Sequence, residues 1–167
     1  MRLQSISAII FQGMPKNYAI VNKSLSRSAQ PLPEDLPWLK EQGVTDIINL
    51  RTMTDKSILF DEAAEAENLG MKYHNIAINH RQPTEKNIID FLELMDDVER
   101  NNRKAHLHCL EGKDRTGLCA FIYKGLRGIG TIAQNEAEWL KYGHDFVKYP
   151  NLRGWAKEFL QKVKIRA

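Results

Sequence analysis

Cysteine is scarce in this chain, with only Cys109 and Cys119 among 167 residues. Two thiols cannot build the disulfide framework of a small secreted domain, so the composition suits a reducing compartment. Long apolar runs are missing as well. The N-terminus offers Ile9-Ile10-Phe11, too brief for a secretory h-region, and no stretch is long enough to span a bilayer. A cytoplasmic location is the expectation, with a leader removed before residue 1 left open. Neither sign of charge dominates: 24 Lys and Arg face 21 Asp and Glu, a net charge of +3. That balance is too mild, and too scattered, for a dedicated nucleic-acid binder. Lys157, Lys162, Lys164 and Arg166 read as the solvated face of a C-terminal helix. No repeat, low-complexity segment or linker divides the chain, so residues 1–167 read as one domain with residues 1–20 as an N-terminal extension. His106, His108 and Cys109 could begin a zinc site, but no second Cys/His cluster stands at ligand spacing. No metal and no organic cofactor is expected.

What the chain does have is an alternation of strands and helices, the pattern of an α/β domain. Pro33-Glu34-Asp35 opens a short helix over 36–42, Gly43 closes it, and 44–50 follows as a strand. Leu59, Ala63, Ala66 and Leu69 recur at helical spacing up to Gly70, and 71–78 reads as another strand. Pro83-Thr84 starts a helix with Ile88, Phe91, Leu92, Met95 and Val98 on one face and Glu85 in its first turn. Residues 105–108 form a strand in which His106 and His108 alternate with apolar neighbours, one read as facing each side. Residues 116–127 form a helix that is apolar around most of its circumference, hence buried. Thr131 and Gln134 form a capping box for a helix ending at Gly143, and Leu152, Trp155, Phe159, Leu160 and Val163 mark a last amphipathic helix.

The chemistry concentrates in residues 106–117, His-Leu-His-Cys-Leu-Glu-Gly-Lys-Asp-Arg-Thr-Gly. A loop after Cys109 can curl so that the N–H groups of Leu110, Glu111, Gly112, Lys113, Asp114 and Arg115 converge at a helix N-terminus, forming an anion nest. Gly112 permits a positive φ or a close backbone approach. Arg115 returns a planar fork to the same point and can bind two phosphate oxygens at once. Helix N-termini and neighbouring cations favour a thiolate, so the loop that binds the anion also activates the Cys109 nucleophile. Cys119, inside Leu118-Cys119-Ala120-Phe121-Ile122, reads as core filler.

His-Cys-x5-Arg-Thr-Gly resembles the signature of the cysteine-dependent phosphatase superfamily, which includes tyrosine and dual-specificity phosphatases, phosphoinositide phosphatases and cysteine phytases. Leu25-Ser26-Arg27-Ser28-Ala29-Gln30-Pro31 is similar to the Arg-Ser-x-Gln-Pro segment of small bacterial dual-specificity-like members, and Gly43 to Arg51 to the strand that follows it. Glu136 to Gly143, and then Tyr149-Pro150-Asn151-Leu152, resemble their C-terminal helices. The likeness spans residues 20–165. It implies a single phosphatase domain with a central, mostly parallel twisted sheet flanked by helices. It also implies that His108 hydrogen-bonds around the loop and helps keep the thiolate.

On that resemblance, the expected reaction is in-line attack by Cys109, with Arg115 and the loop amides holding the phosphoryl oxygens. A cysteinyl-phosphate follows and is hydrolysed, with Thr116 donating to the departing sulfur. Relatives supply the leaving-group proton from an aspartate after the strand that here ends near Ile78. Residues 79–87 contain no aspartate. Asp114 is the leading substitute, because myotubularin-like phosphatases carry an aspartate at the matching place; Glu85 and His80 follow. Lys113, with His80 and Arg81 on the facing loop and Lys86 nearby, favours a ligand bearing several phosphates. No aromatic lies between Tyr73 and Phe91 to line a deep phosphotyrosine cleft. The leading substrate class is therefore an inositol polyphosphate or phosphoinositide, a phosphorylated small molecule or lipid headgroup. A phosphoprotein substrate, for a tyrosine or dual-specificity phosphatase, is the alternative, and a non-catalytic phosphate-binding module is the reading of another class. Asp114 before the arginine, where RNA triphosphatase relatives carry Asn, argues against that activity. Arg-Thr-Gly argues against a sulfurtransferase, and the lack of resolving thiols against an arsenate reductase.

Overall fold

The three inner strands of a five-stranded sheet carry Arg27, Asp46, His106 and His108 among their apolar and small polar residues, and every residue of those strands is buried. The computed structural model describes residues 13–52 and 59–166; the Ile9-Ile10-Phe11 run lies outside them. In chain order the strands are β1 (Ala19–Asn22), β2 (Leu25–Ser28), β3 (Asp46–Asn49), β4 (Lys72–Asn75) and β5 (Ala105–His108). Their spatial order is β1-β2-β5-β3-β4, with β1 antiparallel to β2 and every other pair parallel. The helices are α1 (Asp35–Glu41), α2 (Glu62–Asn68), α3 (Glu85–Arg100), α4 (Arg115–Arg127), α5 (Ile132–Lys141) and α6 (Leu152–Arg166). Among the described residues no helix is long and apolar enough to cross a membrane.

The two-residue side-chain period of a strand sends neighbours to opposite faces. Leu25, Ile48 and Leu107 join Phe91, Met95, Leu118, Ile122, Trp139 and Leu160 in a core under α3 to α6. Ile47 joins Leu36, Leu39, Ala66 and Met71 under α1 and α2. The same period corrects the reading of His106 and His108. Residues two apart share a face, and both imidazoles are buried on the α1–α2 side, His106 against Ser26 and Ser28, His108 against Glu62 on α2.

The expected capping box of Thr131 with Gln134 is formed, and Thr84 with Asn87 makes a second. The β1–β2 hairpin is the element that periodicity left unread. Leu-Ser-Arg-Ser is weakly strand-like in itself, and its pairing with β5 comes from the tertiary fold. Because β5 is central and parallel to both neighbours, the chain leaving His108 enters a crevice at the carboxyl edge of the sheet, where such folds bind ligands.

Candidate active site

The loop from Cys109 to Asp114 joins β5 to α4, and the surrounding scaffold takes its carbonyl groups one by one. His108 Nδ1 donates to Cys109 O at 3.1 Å, and the backbone N–H of Gln30 to Leu110 O at 3.0 Å. Asn17 Nδ2 lies 3.3 Å from Glu111 O and from Gly112 O, and Arg27 Nη2 donates to Gly112 O at 2.9 Å. Trp139 Nε1 donates to Lys113 O at 3.0 Å, and Leu118 N to Asp114 O at 2.9 Å. In a planar trans peptide each carbonyl points opposite to the next N–H. Tying carbonyls 109–114 to the scaffold therefore turns the N–H groups of residues 110–115 the other way. Those six donors meet no acceptor among the described residues. That is a nest for an anion at a helix N-terminus.

Two glycines make the geometry possible. Gly112 has φ +71°, and a Cβ there would lie 2.6 Å from the backbone of Ser28 and Ala29. On α4, a Cβ at Gly117 would lie 2.0 Å from Trp139 Nε1, so glycine lets the indole cross the first turn and reach Lys113.

Around the nest, Cys109 is 3% exposed and Arg115 9%. The Arg115 guanidinium has neither a hydrogen-bond acceptor nor a carboxylate among the described residues. Thr116 Oγ1 is buried with no partner there either. An almost buried cation without a counter-charge is costly by itself, and a phosphate would compensate it. The Cys119 thiol is fully buried and pushed up by that burial, as a core residue's would be.

Behind Cys109, His108 Nε2 lies 2.8 Å from Glu62 Oε1, and Gln30 and Asn49 donate to the same carboxylate at 3.1 and 3.2 Å. His106 spends both ring nitrogens on Ser26 and Ser28, at 2.8 and 2.7 Å, beneath the Tyr18 ring. A larger cleft of about 430 Å³, walled by Leu32, Phe60 and Tyr73, opens beside Glu62.

In front, a cleft of about 340 Å³ is lined by Glu111, Lys113, Asp114, His144, Lys148 and Tyr149, among others. The Lys113 stem lies across Gly143, and its Nζ is 3.5 Å from Glu111 Oε2. His80 meets Tyr149 edge-on, with ring centroids 4.5 Å apart, and Arg81 and Lys148 stand over the same ring. Burial, and then the charge of Arg115, hold the His80 imidazole below its usual range. Lys86 instead pairs with Asp90 one turn along α3 and is 80% exposed, a surface ion pair. Glu85 pairs with Lys162 of α6 at 2.9 Å.

Asp114 is the N-cap of α4, yet its side chain makes no capping bond. Its Oδ1 accepts from His144 Nδ1 at 2.6 Å and from the backbone N–H of Asp145 at 3.0 Å. The His144 ring is fully buried and stacks on Trp139 at 4.5 Å. Its Nε2 is buried without a partner among the described residues. An unsatisfied N–H there would cost about 1–3 kcal/mol, more than a bare lone pair, so the proton sits on Nδ1 and Asp114 is the acceptor.

Sequence reasoning passed over Asn17, Glu62, Trp139 and His144. Trp139 lies within α5 and Glu62 in the first turn of α2, positions where such residue types are ordinary. Neither Asn17 nor His144 stands in a motif, and only packing brings them to the loop. The aromatics missing between residues 73 and 91 arrive from elsewhere, as Phe146 and Tyr149 of the turn after α5 line the front cleft.

Known proteins resemble this chain to different extents. A family model described as "Tc-R-P: Polymorphic toxin system, DSP-PTPase phosphatase" matches residues 21–126. Inositol diphosphatase DSP3 of Arabidopsis thaliana is 30% identical over 108 residues, 62% of this chain and 51% of that protein. The chain thus spans about half the length of that curated relative. The DUF442 protein of Shewanella putrefaciens CN-32 shares the fold with a TM-score of 0.76 and 23% identity, over 97% of this chain and 98% of that one. The core catalytic domain of the PP-IP phosphatase SIW14 from S. cerevisiae, in complex with citrate, gives 0.69 at 19% identity, over 88% and 85% of the two chains.

Proposed function

Because the chain belongs to the polymorphic toxin system DSP-PTPase phosphatases, a family of cysteine-dependent phosphatases, we propose that it hydrolyses phosphate groups of a polyphosphorylated inositol, free or as a lipid headgroup, through a cysteinyl-phosphate on Cys109. The observation that carries this reading is the loop whose six carbonyls are taken by the scaffold, leaving six N–H groups and Arg115 for one anion.

The Cys109 sulfur attacks phosphorus in line while Arg115 and the amides of Leu110 to Arg115 hold the equatorial oxygens, where negative charge is spread in the transition state. Thr116 Oγ1, buried and unpartnered, donates to the sulfur as it departs in the second step. Asp114, at the rim of the front cleft, gives the proton to the leaving oxygen. His80 suits that role less, since burial and Arg115 keep its imidazole neutral. It serves instead as a neutral member of the wall on which the cations Lys113, Arg81 and Lys148 meet further phosphates. An inositol-based substrate is supported by these cations and by the names of two related proteins, an inositol diphosphatase and a PP-IP phosphatase.

A panel of inositol hexakisphosphate, an inositol diphosphate, phosphoinositide vesicles and a phosphotyrosine peptide tests the substrate class. The highest kcat/KM is expected on an inositol compound, and Cys109→Ser is expected to bind phosphate while turning over none of them. One observation favours the runner-up: Phe146, 49% exposed, and the Tyr149 ring offer an aromatic wall to a phenyl phosphate. A kcat/KM that is highest on the peptide would transfer the assignment to phosphotyrosine.

A further inference from the structure

His144 has no part in the reaction as drawn so far, although its surroundings are unusually constrained. It follows α5 directly and sits under the front cleft with its ring fully buried. Trp139 fixes the ring plane by stacking, and the same indole holds Lys113 O, so one side chain registers the imidazole against the phosphate loop. Both donors on Asp114 come from this turn, and both land on Oδ1. Oδ2 accepts from no described residue.

We infer that His144 is the positioning residue of Asp114: its Nδ1–H pins Oδ1 and leaves Oδ2 as the one oxygen that exchanges protons with the reacting groups. The inference rests on the reading of Asp114 as the acid. In the first step the Cys109 S–P bond forms, the ester P–O bond breaks, and the Oδ2 proton passes to the departing oxygen. In the second, a water oxygen bonds to phosphorus, the S–P bond breaks, and the water's proton returns to Oδ2. His144 keeps its Nδ1 proton throughout. It acts by fixing the orientation of the carboxyl through Oδ1.

Other charges face the same carboxyl. His80 and Arg81 belong to the facing loop, Glu111, Lys113 and Arg115 to the phosphate loop, and Asp145 and Lys148 to the turn after α5. All of them are common to every variant at position 144, so a comparison of two such variants isolates the imidazole.

The test is the pH dependence of kcat and kcat/KM for the whole chain on an unactivated alkyl phosphate and on para-nitrophenyl phosphate. Wild type is compared with Asp114→Asn, His144→Asn and His144→Phe. Phe keeps a ring to stack on Trp139 but has no donor, whereas Asn retains an N–H. Asp114→Asn is expected to abolish the basic limb on the alkyl ester. His144→Phe should lower the ratio of alkyl-ester to activated-ester turnover about tenfold, the worth of one hydrogen bond to a charged group. It should also lower kcat on the alkyl ester with little change in KM, and spare the activated ester, which needs no acid. His144→Asn should keep the wild-type ratio of the two rates. If Asp114→Asn keeps the limb, the acid assignment falls and this inference with it. If that limb is lost but His144→Phe leaves kcat on the alkyl ester unchanged, only the positioning role is overturned. Should the Phe variant not fold, ¹⁵N NMR of the wild-type imidazole decides: a proton on Nδ1 is expected, and one on Nε2 would overturn the inference.

Discussion

The guanidinium of Arg27 donates from Nη2 to the carbonyl oxygen of Gly112 at 2.9 Å, with both residues buried. β2 thereby holds the far side of a loop that begins at the end of β5. The same guanidinium lies over the Tyr142 ring at 4.5 Å, and burial pushes its affinity for a proton down from the ordinary arginine range.

Arg27→Ala should therefore loosen the loop as well as the fold. Losing a hydrogen bond to a charged group costs about 1.5–3 kcal/mol, to be read from denaturant unfolding. Phosphate affinity, measured by calorimetry on the Cys109→Ser background, should fall with it, since an untied Gly112 carbonyl is free to turn into the nest. Arg27→Lys should recover little, because an ammonium cannot both reach Gly112 and lie flat on Tyr142. Unchanged phosphate affinity would show that the guanidinium does not shape the loop.

Gly112→Ala should be more severe than its single methyl implies. The αL backbone alone costs a non-glycine residue about 1–2 kcal/mol. The added Cβ would also meet the Ser28 and Ala29 backbone at 2.6 Å, which only a shift of β2 or of the loop relieves. Loss of turnover on para-nitrophenyl phosphate, with a lowered Tm, is the expected outcome.

His106 makes stability depend on pH. Ser28 Oγ donates to Ala29 O, so it accepts from His106 Nε2–H, and Ser26 Oγ donates to Nδ1. The ring is thus neutral, and burial, with smaller contributions from His108 and Lys104, holds it well below its ordinary 6.5. Below that pH the unfolded chain takes up a proton that the native state refuses. The stabilisation is complete above 6.5 and is lost as pH falls, at up to about 1.4 kcal/mol per unit for each such histidine. His80 shifts the same way. Asp46 has its carboxyl held down by His74, Thr45 and Arg103 against the opposing effect of burial, so it acts only at more acidic pH. Calorimetric scans between pH 7.5 and 5 should show a falling Tm, and His106→Gln should flatten that slope.

Glu62 and His108 form a pair whose proton count can be tested. His108 Nδ1 must carry a proton, because Cys109 O can only accept, and the contact at 2.8 Å between Nε2 and Glu62 needs a second one. Glu62→Gln can supply that proton from its amide and should fold nearly normally. Glu62→Leu leaves His108, Gln30 and Asn49 without their acceptor and should cost about 3–5 kcal/mol. Equal unfolding midpoints for the two variants would refute this account.

The loop from Cys109 to Arg115 was legible as an anion nest from residue types and spacing alone because its geometry is local. A cysteine, five residues and Arg-Thr-Gly between a strand and a helix leave little else to build. Helical segments were legible as well, since Ile88, Phe91, Met95 and Val98 repeat at the helix period. β1 and β2 were not. Their four-residue strands carry no alternation strong enough to read, and β2 is a strand because β5 lies beside it. The front cleft's aromatics and His144 were equally hidden, since a turn some thirty residues beyond the loop brings them there.

Local sequence by itself determined the placing of Cys109, Arg115 and Gly112 in one loop and the αβ alternation, because each depends on neighbours within a turn or a strand. Only the tertiary structure decided which groups take the loop's carbonyls, which face receives both histidines, and what touches Asp114. Those contacts join residues up to 95 positions apart, as Asn17 and Gly112 are. Their partners are chosen by how the helices pack on the sheet, and no short-range pattern encodes that packing.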